Sequence, residues 1–238
     1  MWVPTRRRDP EWMDRSDNPA EVVERALCSI RLTNRWLGGR GALREPLDRV
    51  FGELASGSVL EVLDIGTGGA DLPLHMIAHG ERRGIRVNVT AIDRDPAAAD
   101  FARRIARDDP RVRVLLADAK RLPFRERSFD VVTASMFLHH FDHGAIVDLL
   151  RRFRRVARRS VVINDLRRHR LPWAFIAIAS RLTFRDAMFR HDAPLSVLRG
   201  FTDGELLRAA REAGVEEPRV VRRWPFRLVA SLPAEAPP

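Results

Sequence analysis

Five short apolar, β-branched runs separated by amphipathic stretches restrict this chain more than any other feature. They are Val59–Ile65, Val87–Ile92, Val112–Leu116, Phe129–Thr133 and Ser160–Ile163. Near-continuous hydrophobicity is what a strand buried on both faces needs, and strands alternating with helices build a parallel sheet from βαβ units. The helices show their ends. Asp95-Pro96 supplies an N-cap and a first-turn proline. Asp142 caps a helix whose Ile146, Leu149, Leu150, Phe153 and Val156 recur at three- and four-residue spacing. Thr202 with Glu205 forms a capping box for a helix that stops near Gly214. Arg219–Val221 and Phe226–Val229, around Trp224-Pro225, read as two further strands joined by a tight turn.

Two regions lie outside this alternation. Asn18-Pro19-Ala20-Glu21 predicts a helix capped by Asn18, with Val23, Leu27, Ile30 and Leu37 on one apolar stripe. Asn34 falls on that stripe, so it is either a satisfied core amide or a ligand contact. Gly38-Gly39 and Gly41 then break the helix as a hinge. After the fifth strand comes an apolar helix, Leu171 to Phe184, followed by a loop through His191 and Pro194.

Chemistry concentrates at the carboxyl ends of the first three strands, where open α/β sheets bind ligands. The run Asp64-Ile65-Gly66-Thr67-Gly68-Gly69-Ala70-Asp71 turns a strand sharply into a helix. Glycines there permit unusual backbone angles and direct backbone contact with a ligand. A dinucleotide loop would set its third glycine three positions after the second and offer a helix N-terminus to phosphate. Here two acids, Asp64 and Asp71, flank the turn; they repel phosphate and welcome an ammonium or sulfonium. Asp93 closes the second strand, where a carboxylate can accept both ribose hydroxyls. Asp118 follows the third, within reach of an adenine amino group.

With VLDIGTGGADLP, AIDRDP, LLADAKRLPF and FDVVTASMFLHHF, the chain resembles class I S-adenosylmethionine-dependent methyltransferases, especially the small-molecule group that includes the ubiquinone and menaquinone enzymes. The resemblance covers about Val59 to Val162. It implies a Rossmann-like fold with helices on both faces of a mostly parallel seven-stranded sheet, the last strand antiparallel. It further implies a helical cap or lid over residues 1–56, and a cofactor-binding domain over 57–238 with a lid insert at about 168–200. S-adenosyl-L-methionine is the implied cofactor, with Asp64, Gly66, Thr67 and Gly68 bordering its methionine. Asp93 and Arg94 would lie at the ribose, Asp118 and Ala119 at the adenine, and Ser135 and Met136 near the sulfonium. Ala70 departs from the family, many of whose members carry a third glycine there.

The acceptor is less legible. Methyl transfer needs a positioned acceptor and a base where a proton must leave. His139 and His140 follow the fourth strand, and His140 is the first choice for that base. Asn34, Trp36, Asn164, Trp173 and His191 are candidate substrate contacts. The apolar helix, if a lid, implies an aromatic or lipid-like acceptor such as a polyketide phenol or quinone precursor. O-methylation leads, C-methylation follows, and a cofactor-binding protein without transferase activity is the reading from another class.

Composition narrows the partners. A single cysteine, Cys28, excludes an internal disulfide and multi-cysteine metal sites, suits a reducing cytoplasm, and leaves no metal expected. Met1 to Arg8 is basic, but no apolar run follows to make a signal peptide. The longest apolar stretch, Leu171 to Ala179, falls short of the ~18 residues that span a bilayer. Only one of 42 basic residues is a lysine, Lys120, and tyrosine is absent. The net charge of +10 therefore reads as scattered arginine, with the run Arg151 to Arg159 a solvated helix end. A carrier protein is the sharper partner for that run, and a homodimer contact a use for the apolar helix. No nucleic acid is expected, because the segment after the fourth strand lacks the Asn/Asp-Pro-Pro-aromatic arrangement that holds a flipped base.

Overall fold

Alternate residues of the central strands feed two different cores. In a computed structural model that describes residues 3–236, the strands are β1 (Val59–Ile65), β2 (Arg86–Asp93), β3 (Val112–Leu116), β4 (Phe129–Ser135), β5 (Ala157–Leu166), β6 (Arg219–Arg223) and β7 (Arg227–Pro233). They form one sheet in the order β3-β2-β1-β4-β5-β7-β6. Pairing is parallel from β3 across to β5, and β7 runs antiparallel between β5 and β6. From β1, Leu60 and Val62 face one core and Leu63 and Ile65 the other, as period-two side chains must.

The first core is closed by α2 (Gly39–Gly52) and α3 (Asp71–Glu81), which bury Leu43, Leu47, Met76 and Ile77 against the sheet. Ala102 and Ala106 of α4 (Pro96–Ala106) pack on Val112 and Val114 of β3. The second core is closed by α5 (His143–Val156) and α8 (Asp203–Glu212), through Leu149, Leu150, Phe153 and Leu206. Asp95, Asp142 and Thr202 each cap the helix that their position predicts, accepting from Ala98 N, Ala145 N and Glu205 N. The capping box of Thr202 with Glu205 is complete.

Three local expectations need correction. The helix α1 (Ala20–Trp36) starts after Pro19 without a side-chain cap. Asn18 instead donates its amide backwards, to the carbonyls of Trp12 and Arg15, and so fixes the segment before the helix. The expected loop through His191 and Pro194 is helical: α6 (Arg170–Thr183) is followed by α7 (Ala187–Arg199), capped by Asp186. Pro194 lies inside α7, a position that single-sequence reasoning takes as a break. The run from Arg151 to Arg159 is not simply solvated. Arg154 donates to the carbonyls of Ala213 and Pro233, Arg158 to those of Arg127 and Ser128, and Arg159 meets Glu53 and Asp130. These arginines tie chain ends and loops to α5 and to β5, which begins at Ala157.

The helix break at Gly38 is real. Gly38 takes φ +77°, and a Cβ there would meet the Trp224 carbonyl oxygen at 2.5 Å. The chain thereby crosses from α1, above the carboxyl edge of the sheet, to α2, which belongs to the core.

Candidate active site

The glycine turn after β1 is the framework of the site. Gly66 and Gly68 have φ of +66° and +52°, and Ala70 takes +53°. Left-handed backbone is unfavourable for a residue with a Cβ, so the position of Ala70 is one that glycine would meet without strain. At Gly66 the demand is absolute, since a Cβ there would lie 2.5 Å from the Phe137 ring. Gly66→Ala is expected to abolish cofactor binding or folding, read by calorimetric titration beside a thermal melt; unaltered binding would contradict this role for the turn.

Acids converge on that turn. Asp93 accepts from Gly68 N at 2.9 Å and Asp95 N at 3.0 Å, which joins the β2 end to the glycine loop. Burial pushes its carboxyl above the usual range, against these backbone donors. Asp64 is fully buried and accepts from Thr133 Oγ1 at 2.6 Å. Burial raises it to about 6, with the like charges of Asp71 and Asp93 adding to the shift. Asp71, also raised by burial, has Asn34 Nδ2 at 3.4 Å and Arg40 Nε at 3.6 Å. Asp71 Oδ2 and Thr67 Oγ1 are buried with no hydrogen-bond partner. An under-neutralised carboxylate pair beside orphaned acceptors fits a cationic, hydrogen-bond-donating ligand.

One cavity of about 570 Å³ runs through the carboxyl edge of the sheet, within the size range of small-ligand sites. Every sequence-derived cofactor position lines it: Asp64, Gly66, Thr67, Gly68, Asp93, Arg94, Asp118, Ala119, Ser135 and Met136. Asn34 lines it too, half as a ligand-facing amide and half as a core one, for its Oδ1 accepts from Arg227 Nη2 at 3.2 Å. Another part of the lining is apolar, formed by Leu166, Ile176, Met188 and Phe189, while Leu27 packs over Gly68 of the turn. Residues of α1, α6 and α7 line the cavity, among them Ile176, Met188 and Ser196 of the 168–200 stretch.

His139 and His140 both line the junction between the two ends. His139 is buried, with Nδ1 2.7 Å from Asp165 Oδ1 and Nε2 turned toward Glu11 Oε1 at 3.6 Å. Burial alone would raise Asp165, yet the His139 imidazole holds its carboxyl below the usual range. His140 sets Nδ1 2.8 Å from Asp14 Oδ1. The remaining candidates are not brought together. Asn164 is buried beneath the cavity, donating to the carbonyl of Gly39 and to Ser135 Oγ. Trp36 and Trp173 are exposed and outside the lining, and His191 stacks on Trp12 with ring centroids 4.1 Å apart.

Sequence reasoning missed the segment before α1. Glu11, Met13, Asp14, Arg15 and Ser16 all line the cavity. Asp192 of α7 anchors this strap, accepting from Trp12 N at 2.9 Å and Met13 N at 3.0 Å. Arg199 donates to the carbonyl of Asp9 and to Asp14 Oδ2 at 2.8 Å. Glu11, His139 and His140 bring potential ligand atoms within 4.8 Å of one another, and the Arg199 guanidinium, 3.7 Å from Glu11 Oε1, supplies a fixed counter-charge there. Burial pushes Glu11 up to about 7, opposed by the charges of His140 and Arg199. Asp14 is held well below the carboxylate range, its burial outweighed by His140 and Arg199. The available signal was a Trp-Met pair between two acids in an otherwise basic stretch. The other omission is Arg227, fully buried at the start of β7 and lowered to about 10 by burial, with the charges of Asp165 and Asp71 opposing that shift.

Residues 62–160 match the family described as a methyltransferase domain. No curated protein matches the sequence. Among solved structures, an S-adenosylmethionine-dependent methyltransferase from Aquifex aeolicus is 17% identical with TM-score 0.55, covering 79% of this chain and 89% of that one. Magnesium protoporphyrin IX methyltransferase from Synechocystis PCC 6803, with bound S-adenosylmethionine, is 12% identical with TM-score 0.51, covering 82% and 81%. The CurJ carbon methyltransferase is 15% identical with TM-score 0.61, covering 83% of this chain and 54% of that one. The fold is that of class I S-adenosylmethionine-dependent methyltransferases, and residues 62–160 carry the match to the methyltransferase domain. S-adenosyl-L-methionine is its cofactor, and the acid-lined, glycine-backed part of the cavity is where the residues fit it.

The raised Asp64 carboxyl makes cofactor binding pH-dependent. It is protonated below about pH 6 in the free protein; if it faces the cationic methionine of the cofactor, it ionises on binding and releases a proton there. Affinity is expected to fall as pH drops from 7 to 5, with proton release visible as a buffer-dependent calorimetric heat. The same shift has the opposite sign for stability of the free protein. A carboxyl raised from 3.8 stabilises the fold while protonated, and that contribution is lost as pH rises through about 6.

Proposed function

We propose that the protein transfers the methyl group of S-adenosylmethionine to the hydroxyl of a small, apolar aromatic acceptor. The observation that carries this reading is the continuity of one cavity from the acid-lined glycine turn, past His139, to a pocket walled by Ile176, Met188 and Phe189. The cofactor supplies an electrophilic methyl group; what this chain adds is placement and proton removal. Asp93 and Asp118 hold the ribose and adenine side, and Asp64 and Asp71 the methionine ammonium. The apolar end excludes water and aligns an aromatic ring for in-line attack.

His139 is the better base of the two histidines. Asp165, ionised and buried, fixes the Nδ1–H tautomer and leaves Nε2 free to take the acceptor's proton. Glu11, close to half ionised at neutral pH, faces that nitrogen and can share the proton. His140 is engaged with Asp14 and acts by holding the strap over the site. Carbon methylation is the second reading, favoured by the fold's likeness to the CurJ carbon methyltransferase and to the methyltransferase domain of the citrinin polyketide synthase.

Incubation with S-adenosylmethionine and a panel of alkylphenols, quinols and polyketide-like phenols, read by mass spectrometry and NMR of the products, tests this. An O-methyl product supports the reading and a C-methyl product replaces it by the second. Tight cofactor binding without transfer to any acceptor would favour a cofactor-binding protein that is not a transferase.

A further inference from the structure

The helix α6 presents two unlike faces. Inward, Pro172, Ile176 and Ser180 are buried, and Ile176 joins Leu166 and Val197 in a small core beside the cavity. Outward, Leu171, Phe175, Ile178 and Leu182 follow at spacings of four, three and four, which puts them on one stripe of the helix. They are 70%, 46%, 61% and 82% exposed. A packed core does not require this stripe, and water does not favour it.

The stripe continues onto the cavity mouth. The Phe175 ring lies 5.3 Å from that of Phe226, and Phe226 lines the cavity. Beside Phe226, Trp224 is 87% exposed, and its carbonyl backs onto Gly38, two residues after the exposed Trp36. One apolar rim thus joins the ends of α1 and the β6–β7 turn to α6. Aromatic residues with a charged border are the composition of surfaces that sit in a lipid headgroup layer.

The border is one-signed. Between Arg167 and His191 stand Arg167, Arg170, Arg181, Arg185 and Arg190, against a single acid, Asp186, which caps α7; Arg168 of the same stretch is buried and paired with Glu205. Arg35 adds a guanidinium 5.3 Å from the Trp36 ring. Pairing with a second copy of this chain would set arginines against arginines; an anionic lipid surface neutralises them. We propose that the outward face of α6, with the rim of Trp36 and Trp224, docks on an anionic membrane surface and opens the cavity toward it. No described helix is long and apolar enough to cross a membrane, so the contact is peripheral. Only its purpose, the direct uptake of an apolar acceptor from the bilayer, rests on the acceptor reading above.

The test is sedimentation of the full chain with phosphatidylcholine vesicles, with and without phosphatidylglycerol, at low and high salt. The comparison is a variant combining Leu171→Ser, Phe175→Ser, Ile178→Ser and Leu182→Ser. Binding to phosphatidylglycerol vesicles that falls with salt, and that drops more than about tenfold in the variant, is the expected result. Cofactor titration of both proteins shows whether the fold and the cofactor site are intact, independently of the vesicle result. Wild-type protein that stays in the supernatant, binds neutral vesicles equally well, or binds as strongly after the substitutions would overturn the proposal. So would a dimer, seen by analytical ultracentrifugation, that the substitutions dissociate.

Discussion

Asp93→Ala is expected to weaken S-adenosylmethionine binding by at least about 100-fold, measured by calorimetric titration. The carboxylate does two things at once. It accepts from Gly68 N and Asp95 N, and in the proposed binding mode its remaining acceptor capacity goes to the ribose hydroxyls. Hydrogen bonds to a charged group contribute about 1.5–3 kcal/mol each, and loss of the side chain also frees the glycine loop that cradles the cofactor. Asp93→Asn separates the two contributions, because the amide oxygen can keep one backbone donor while the charge is gone. A wild-type-like affinity in Asp93→Ala would remove the β2 end from the cofactor site.

His139→Gln is expected to lower kcat by about 100- to 10,000-fold on a phenolic acceptor, with cofactor affinity unchanged. Glutamine can still donate to Asp165, so the buried carboxylate is not stranded. His139→Ala, by contrast, leaves Asp165 uncompensated and is expected to cost on the order of 3 kcal/mol of stability as well. Asp165→Asn tests the orientation of the ring: its effect should fall on kcat and shift the pH–rate profile, leaving the cofactor titration as it is. Should His139→Gln retain full kcat while His140→Gln loses it, the base assignment passes to His140.

The comparison of sequence with structure divides along a physical line. The cavity-lining acids were legible because they are local: each stands at or just past the end of a strand that its own apolar run announces. The sheet was legible for the same reason, as were the capped starts of α4, α5 and α8. What failed was set by partners far along the chain. Pro194 reads as a breaker until α7 is seen held by the strap, and Asn18 reads as a cap until its carbonyl acceptors at Trp12 and Arg15 are in place. Arg227 falls in the expected strand Phe226–Val229 with nothing local to mark it, yet β7 inserts between β5 and β6 and buries it against Leu37 O and Asn34. The part of the cavity lined by α6, α7 and the segment before α1 is assembled almost wholly from such distant encounters, so sequence position points to Trp36, Trp173 and His191 and not to Glu11 and Asp14.

The strap anchored on α7 has a kinetic consequence. Trp12 and Asp192 are 180 residues apart, and Arg199 reaches back 190 to the Asp9 carbonyl. Loop-closure entropy rises only as the logarithm of length, so such a join is thermodynamically tolerable. Contacts of that range nevertheless cannot nucleate folding, because the sheet between them must be in place first. The part of the cavity that this strap covers is therefore expected to be completed last in folding and to open first in unfolding. In hydrogen exchange, the amides of Trp12 and Met13 should lose protection while the β1 and β4 ladders are still closed.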